Sequence, residues 1–283
     1  MKLSCPAPAK LNLFLHVVGR RADGYHLLQT LFRFIDLHDT LHFTLREDGV
    51  VRRVNVVEGV AEDQDLCVRA ARLLQVETGC RLGAEIEVEK RIPMGGGLGG
   101  GSSDAATTLI ALNRMWSLGL SRARLMQLGL KLGADVPVFV FGKNAFAEGV
   151  GEELQAFPVP EAWYVVLFPP VQVPTARIFA HPELTRDAVS ITMRALLKGQ
   201  SERPLRNDLQ KVVCNLYPEV ERYIVSLEKF SKAMMTGSGA CVFAGFPGRS
   251  QAEAVLQQLP QGMRGVVAQG LAKHPLHDWM LDE

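Results

Sequence analysis

Residues 93–106 read Pro-Met-Gly-Gly-Gly-Leu-Gly-Gly-Gly-Ser-Ser-Asp-Ala-Ala, and six of the seven positions from Gly95 to Gly101 are glycine. Those six belong to a total of 26 in a chain of 283 residues, and without them the glycine content falls to the usual background of about 7%. The excess is one local event. Before it lies GAEIEVEKRIP, residues 83–93, where Ile86 and Val88 alternate with Glu85, Glu87 and Glu89, the period of a strand with one wet face. After it, residues 102–116 carry Ala, Leu and Ile at helical spacing behind a Ser-Ser-Asp start that offers N-cap chemistry. The order is strand, glycine loop, helix.

A glycine run lets consecutive backbone N–H groups turn inward and approach an anion, and a following helix N-terminus adds partial positive charge. The loop is therefore a phosphate cradle. It contains G-x-G-x-x-G at Gly95, Gly97 and Gly100, but a dinucleotide site also needs an acid about 20 residues on, and after Asp104 the next Asp or Glu is Asp135. The GxxxxGK[ST] phosphate loop fails as well, since no lysine follows the glycines. A nicotinamide or flavin oxidoreductase is thereby disfavoured, and a third kind of nucleotide loop is required.

Outward from the loop, Leu11, Leu13, Leu15 and Val17 alternate with Asn12, Phe14 and His16, predicting a strand with one face in the core and Asn12 turned away from it. The segment 19–26, GRRADGYH, reads as a loop before an extended run at 27–35, and further strands are expected at 41–46 and 50–57 around an Asp48-Gly49 turn. Helices are expected over 66–74, closed by Gly79, and over 121–132, closed by Gly133, followed by a strand-like apolar run at 136–142. Beyond about residue 155 the pattern restarts: a strand at 163–170, helices near 190–198, 205–216, 218–229 and 250–259, and a strand pair within 234–246. Two domains are expected, 1–155 and 156–283, of α+β class rather than a doubly wound sheet.

With 31 Lys and Arg against 30 Asp and Glu the net charge is +1, so a broad grip on nucleic acid or acidic lipid is not expected and any phosphate binding is local. Five unpaired-looking cysteines and an amino terminus without an apolar run predict a reducing, cytoplasmic setting with no disulfide framework, zinc site, signal peptide or membrane span.

Residues 93–106 closely resemble the nucleotide loop of the GHMP kinase superfamily, which includes galactokinases, homoserine kinases and mevalonate kinases. Three further stretches, 8–30 (PAKLNLFLHVVGRRADGYHLLQT), 133–139 (GADVPVF) and 236–243 (TGSGACVF), are similar to the signatures of its 4-diphosphocytidyl-2-C-methyl-D-erythritol kinase branch, in the expected order. The resemblance implies a β-rich amino-terminal domain shared with some ribosomal proteins, a ferredoxin-like carboxy-terminal domain, and a site between them. It further implies ATP-dependent phosphorylation of the 2-hydroxyl of a cytidine-diphosphate-linked methylerythritol in the non-mevalonate isoprenoid pathway. A sibling kinase of homoserine or mevalonate type is the alternative, and nucleic-acid binding through the shared fold is disfavoured by the charge.

Residue by residue, the resemblance implies that Pro93, Met94, Gly95, Gly96, Gly97, Leu98, Gly99, Gly100, Gly101, Ser102 and Ser103 hold ATP. Asp135, whose local pattern by itself fits a turn or cap, becomes the general base, and Lys10 the cation beside it. Asn12, two residues along the same strand face, becomes a substrate donor. Tyr25 stacks on cytosine with Phe179 on the opposite face, and His26 meets the polar edge of the ring. Gly237, Ser238 and Gly239 support the phosphate loop or the substrate diphosphate. Mg²⁺ is expected with ATP. Residues 105–134 contain no acid to hold it, so the ion is expected on the nucleotide and water, with Ser102 or Ser103 nearby and no protein metal ligand assigned.

Overall fold

The computed structural model describes residues 1–199, 204–280 and 282. Two long strands, β1 (Lys2–Arg20) and β2 (His26–Arg46), form an antiparallel hairpin that runs from Lys2 opposite Thr44 to Arg20 opposite His26. Its register shifts at Pro8/Ala9, between Asn12 and Leu15, and at Val17/Gly19. Proline cannot donate to a ladder, and a bulge redirects the side chains beside it. Lys10 and Asn12 lie between the first two shifts. The strand expected at 41–46 is the far end of β2, and of 50–57 only β3 (Val51–Arg53) is strand.

α1 (Leu66–Thr78) follows, with Asp65 as its N-cap and Gly79 in the left-handed region at its end, as expected. β4 (Gly83–Glu89) pairs antiparallel with β2 and parallel with β3. α2 (Gly100–Met115) begins inside the glycine run, earlier than the sequence reading placed it. Its N-cap is Gly99, and no side chain caps it: Ser102, Ser103 and Asp104 sit within its first turns. α3 (Arg122–Leu130) is capped by Ser121.

The run at 136–142 is α4 (Val136–Phe141), not a strand. Pro137 fits the first helical turn, Gly142 at φ 73° ends it, and Val136 through Val140 are all buried. An apolar run buried all round carries no period, so alternation could not separate strand from helix.

The sheet continues with β5 (Ala145–Glu148) and β6 (Glu153–Ala156), then, in the second half, β7 (Trp163–Leu167). Next come α5 (Thr175–Phe179), α6 (Met193–Leu197), α7 (Gln210–Leu216), α8 (Pro218–Glu228), β8 (Ala233–Met235), β9 (Val242–Phe246), α9 (Arg249–Gln258) and β10 (Gly265–Leu271). β5, β6, α5 and β10 went unread in the sequence. β10 joins the halves, pairing with β7 along its length and with β2 at Gly270–Ile35 and Leu271–Phe34.

One core lies under α1–α4 (Phe34, Ile86, Leu109, Leu125, Phe139) and another in the second half (Val165, Val213, Leu227, Val242). A third, with Ala9, Leu11, Ile35, Ile92, Leu98, Val166 and Phe243, fills the junction behind the glycine loop. Between Ala7 and Val17, with only Leu13 half-buried, β1 is covered on both faces: Asn12, Phe14 and His16 are as covered as Leu11 and Val17, so the expected wet face is absent there.

Candidate active site

A cleft of about 1030 Å³ opens between β1, the glycine loop, the start of α4 and the two halves of the chain. Lys10 lies at its floor, 2% exposed, with its backbone N–H donating to Leu98 of the loop at 3.0 Å. A buried ammonium needs partners. Nζ donates to Asn12 Oδ1 at 2.6 Å, stands 3.4 Å from Asp135 Oδ2, and lies 5.4 Å from the centroid of the Phe32 ring. Asn12 is bound in turn: Nδ2 donates to Thr30 Oγ1 at 2.9 Å, its backbone N–H donates to Thr236 Oγ1 at 3.0 Å, and Oδ1 accepts from Thr236 at 3.3 Å.

Asp135 occupies the N-cap position of α4 yet makes no capping bond. The local pattern that fits a cap is met in position but not in bonding. Its carboxylate, 38% exposed, faces Lys10 and lines the cleft. A free carboxylate held beside a fixed cation can accept a proton from a hydroxyl placed next to it.

The glycine loop is shaped by protein as well as open to a ligand. Gly97 has φ 76°, and a Cβ there would stand 2.1 Å from the Thr236 carbonyl oxygen. Gly99 has φ 74°, and a Cβ would meet Phe139 at 2.9 Å and Lys10 Cε at 3.1 Å. Because no side chain caps α2, the N–H groups of its first turn are left for an anion. Pro93 through Ser102 all line the cleft. Ser103 does not: it is fully buried, and its hydroxyl has no partner among the described residues.

The second glycine turn backs the first. A Cβ on Gly237 would stand 2.9 Å from the Gly97 carbonyl oxygen, and the Cys241 N–H donates to Gly96 at 3.1 Å. Ser238 lines the cleft and shares a 2.7 Å hydrogen bond with Thr175, whereas Gly239 packs on Met235 outside the lining.

Tyr25, His26 and Phe179 also line the cleft. Tyr25 is 64% exposed at the turn before β2. His26 sits against Phe179, ring centroids 5.0 Å apart and tilted by 36°. Arg186 donates to His26 Nε2 at 3.0 Å and to the carbonyls of Phe179, His181 and Leu184. Burial first, then the Arg186 and Arg20 charges, pushes the His26 imidazole below its ordinary pKa.

Beside Gly100, Lys90 bridges Asp39 and Asp104. Burial raises the Asp104 carboxyl to about 7, opposed by Lys90 and reinforced by Asp39. Lys90 itself rises despite burial, because both carboxylates favour its charged form. Val57, Val60 and Val88 form an apolar wall next to Met94.

Arg186, Thr236, Thr175 and the Lys90 cluster escaped the sequence reading. Nothing in their own stretches of sequence marks them, because each meets a partner distant along the chain.

The GHMP kinase N-terminal domain model matches residues 65–143 and the GHMP kinase C-terminal model residues 192–265. Proteins named 4-diphosphocytidyl-2-C-methyl-D-erythritol kinase from Nitrosospira multiformis and Thiobacillus denitrificans are each 60% identical, over 98% of this chain and 94% of the first, and 99% of both for the second. A crystal structure of 4-(cytidine 5'-diphospho)-2C-methyl-D-erythritol kinase superposes with a TM-score of 0.80 at 34% identity, covering 95% of this chain and 99% of that one. Homoserine kinase from Cytophaga hutchinsonii shares the fold at a TM-score of 0.72 and 14% identity, covering 96% of this chain and 95% of its own. Fold alone joins the chain to several kinases, but identity of this depth over nearly its whole length makes it a member of the 4-diphosphocytidyl-2-C-methyl-D-erythritol kinase family of GHMP kinases.

Proposed function

We propose that the protein transfers the γ-phosphoryl group of ATP to the 2-hydroxyl of 4-diphosphocytidyl-2-C-methyl-D-erythritol. The observation that carries the reading is the pairing of Lys10 with an uncapped Asp135 at 3.4 Å, in one cleft with the glycine loop and the Tyr25, His26 and Phe179 aromatics. Asp135 aligns the acceptor hydroxyl and takes its proton as the bond to phosphorus forms. Lys10, 3.4 Å away, holds that carboxylate in place and offsets charge on the phosphoryl oxygens during transfer. Asn12 holds the ammonium in place through its side-chain oxygen, and its remaining amide hydrogen is left for the substrate.

The open N–H groups of α2 and the loop from Pro93 to Ser102 fit a triphosphate, and the valine wall beside Met94 fits the adenine. Mg²⁺ supplies further charge neutralisation when bound with the nucleotide. Asp65 is committed to the start of α1 and Arg53, and Asp104 to Lys90, so we assign no carboxylate to the ion and keep Ser102 beside it. Ser103 faces away and drops out of that assignment. The cytosine base lies among Tyr25, Phe179 and His26, and Gly237 and Gly239 shape the turn that presents Ser238. We place the boundary between domains near residue 155, before the connection 157–162.

ADP release measured with galactose, homoserine, mevalonate and the cytidyl compound tests the reading. The cytidyl compound is expected to be preferred by at least about 100-fold, and a preference for any other acceptor overturns the assignment. Asp135→Asn is expected to lower kcat by about 10²–10⁴ with the fold retained, since Asp135 caps nothing and Asn12 still accepts from Lys10. Near-normal turnover in that variant removes Asp135 as base.

A further inference from the structure

The reading above leaves unexplained an arginine that touches neither the phosphate loop nor the catalytic pair. Arg186 donates through Nε to His26 Nε2 at 3.0 Å, while its other N–H groups hold the carbonyls of Phe179 at 2.9 Å, His181 at 2.8 Å and Leu184 at 3.0 Å. A guanidinium has five donors, no acceptor, and never deprotonates in a protein. Its partner nitrogen on His26 must therefore be the bare, accepting one. A neutral imidazole then carries its proton on Nδ1, which has no partner among the described residues. Two cations close by, Arg186 and Arg20, also act against a second proton on this ring, after the effect of burial.

We propose that Arg186 is a positioning and specificity residue that fixes His26 as the Nδ1–H tautomer, so that this wall of the cleft offers a single hydrogen-bond donor to the base. The inference rests on the reading that the cleft takes a nucleoside-diphosphate-linked alcohol whose base meets His26. A pyrimidine whose N3 is bare and accepting, as in cytosine, satisfies the donor. Uracil presents N3–H in the same place, donor against donor, and a polar site that leaves such a group unpaired discriminates strongly. The same guanidinium grips the Phe179 carbonyl, so ring orientation and tautomer are set by one side chain.

Two measurements test this. In the ligand-free wild-type protein at neutral pH, the ¹⁵N shifts of His26 are expected to show a pyridine-type Nε2 and a pyrrole-type Nδ1; a majority Nε2–H tautomer overturns the proposal and needs no variant that could misfold. In steady-state assays the wild type is expected to prefer the cytidyl substrate over its uridyl analogue by about 100-fold or more. Arg186→Met is expected to cut that ratio at least about tenfold, by raising KM for the cytidyl substrate with kcat little changed while the uridyl kcat/KM holds or rises. A parallel fall for both substrates, with the ratio intact, marks Arg186 as merely structural and overturns the proposal. Absence of cytidyl turnover in the wild type overturns the functional reading and this inference together, whereas cytidyl turnover with the wrong tautomer overturns the inference alone.

Discussion

Lys10 owes its place to neighbours drawn from three parts of the chain. The ammonium is buried, so it stays where Asn12, Asp135 and the Phe32 ring hold it, and Asn12 is itself anchored by Thr30 and Thr236. Asn12→Ala removes the 2.6 Å acceptor and the side-chain contacts to Thr30 and Thr236 at once, leaving the backbone bond to Thr236. The expected result is a kcat lower by about 10- to 100-fold, with KM for ATP nearly unchanged because the loop glycines are untouched; equal losses in kcat and ATP affinity would contradict it. The meeting of Lys10 with Asp135 could be anticipated only through the family resemblance, since taken alone one reads as a surface lysine and the other as a turn or cap residue. Thr236 was named only as the first letter of a glycine turn, and Arg186 not at all, since a hydrogen bond across 160 or 224 positions leaves no local trace.

At the scale of elements, α2 carries a carboxyl that the sequence reading used as part of a cap and as the last acid before a long gap. The Lys90 cluster holds two carboxylates for one ammonium, and Asp104, buried at the start of the helix, bears the surplus. Its folded pKa of about 7 lies above the ordinary 3.8, so between those values the folded chain holds a proton that the unfolded chain has lost. The stability tied to this group is full below about pH 4 and is lost as pH rises toward 7. Thermal melts of wild type and Asp104→Asn from pH 4.5 to 8 are expected to diverge as pH rises, the variant becoming relatively more stable; a constant gap would rule this out. The strand–loop–helix order around the glycines was readable because alternation and helical spacing both survive there. α4 was not, because complete burial erases period, and the short β5 and β6 form only through pairing.

At the scale of the molecule, the last residues return to the first half. Arg122 donates to the carbonyls of Val140, Phe141 and His277 and pairs with Asp282, so one guanidinium satisfies the end of α4 and ties down the chain that leaves β10. Arg122→Ala is expected to cost about 2–3 kcal/mol and several degrees in melting temperature, seen by calorimetry, with the bound carbonyls left partly unsatisfied. A change under one degree would show that water replaces the clamp. An α+β class with an N-terminal and a C-terminal kinase domain was legible, but the closure of both into a continuous sheet through β10 was not, since strand pairing at that distance has no signature in either strand alone.

The contact between Gly97 and the Thr236 carbonyl carries a consequence for how such a motif travels. Every glycine of the loop is encoded within seven residues, yet the wall that bends it comes from a turn 139 positions later. Copied into another protein, the heptad would bring its composition and leave its shape behind. What this fold inherits as a shaped loop is therefore the meeting of two distant turns, and a split of the chain between them would separate a recognisable signature from its form.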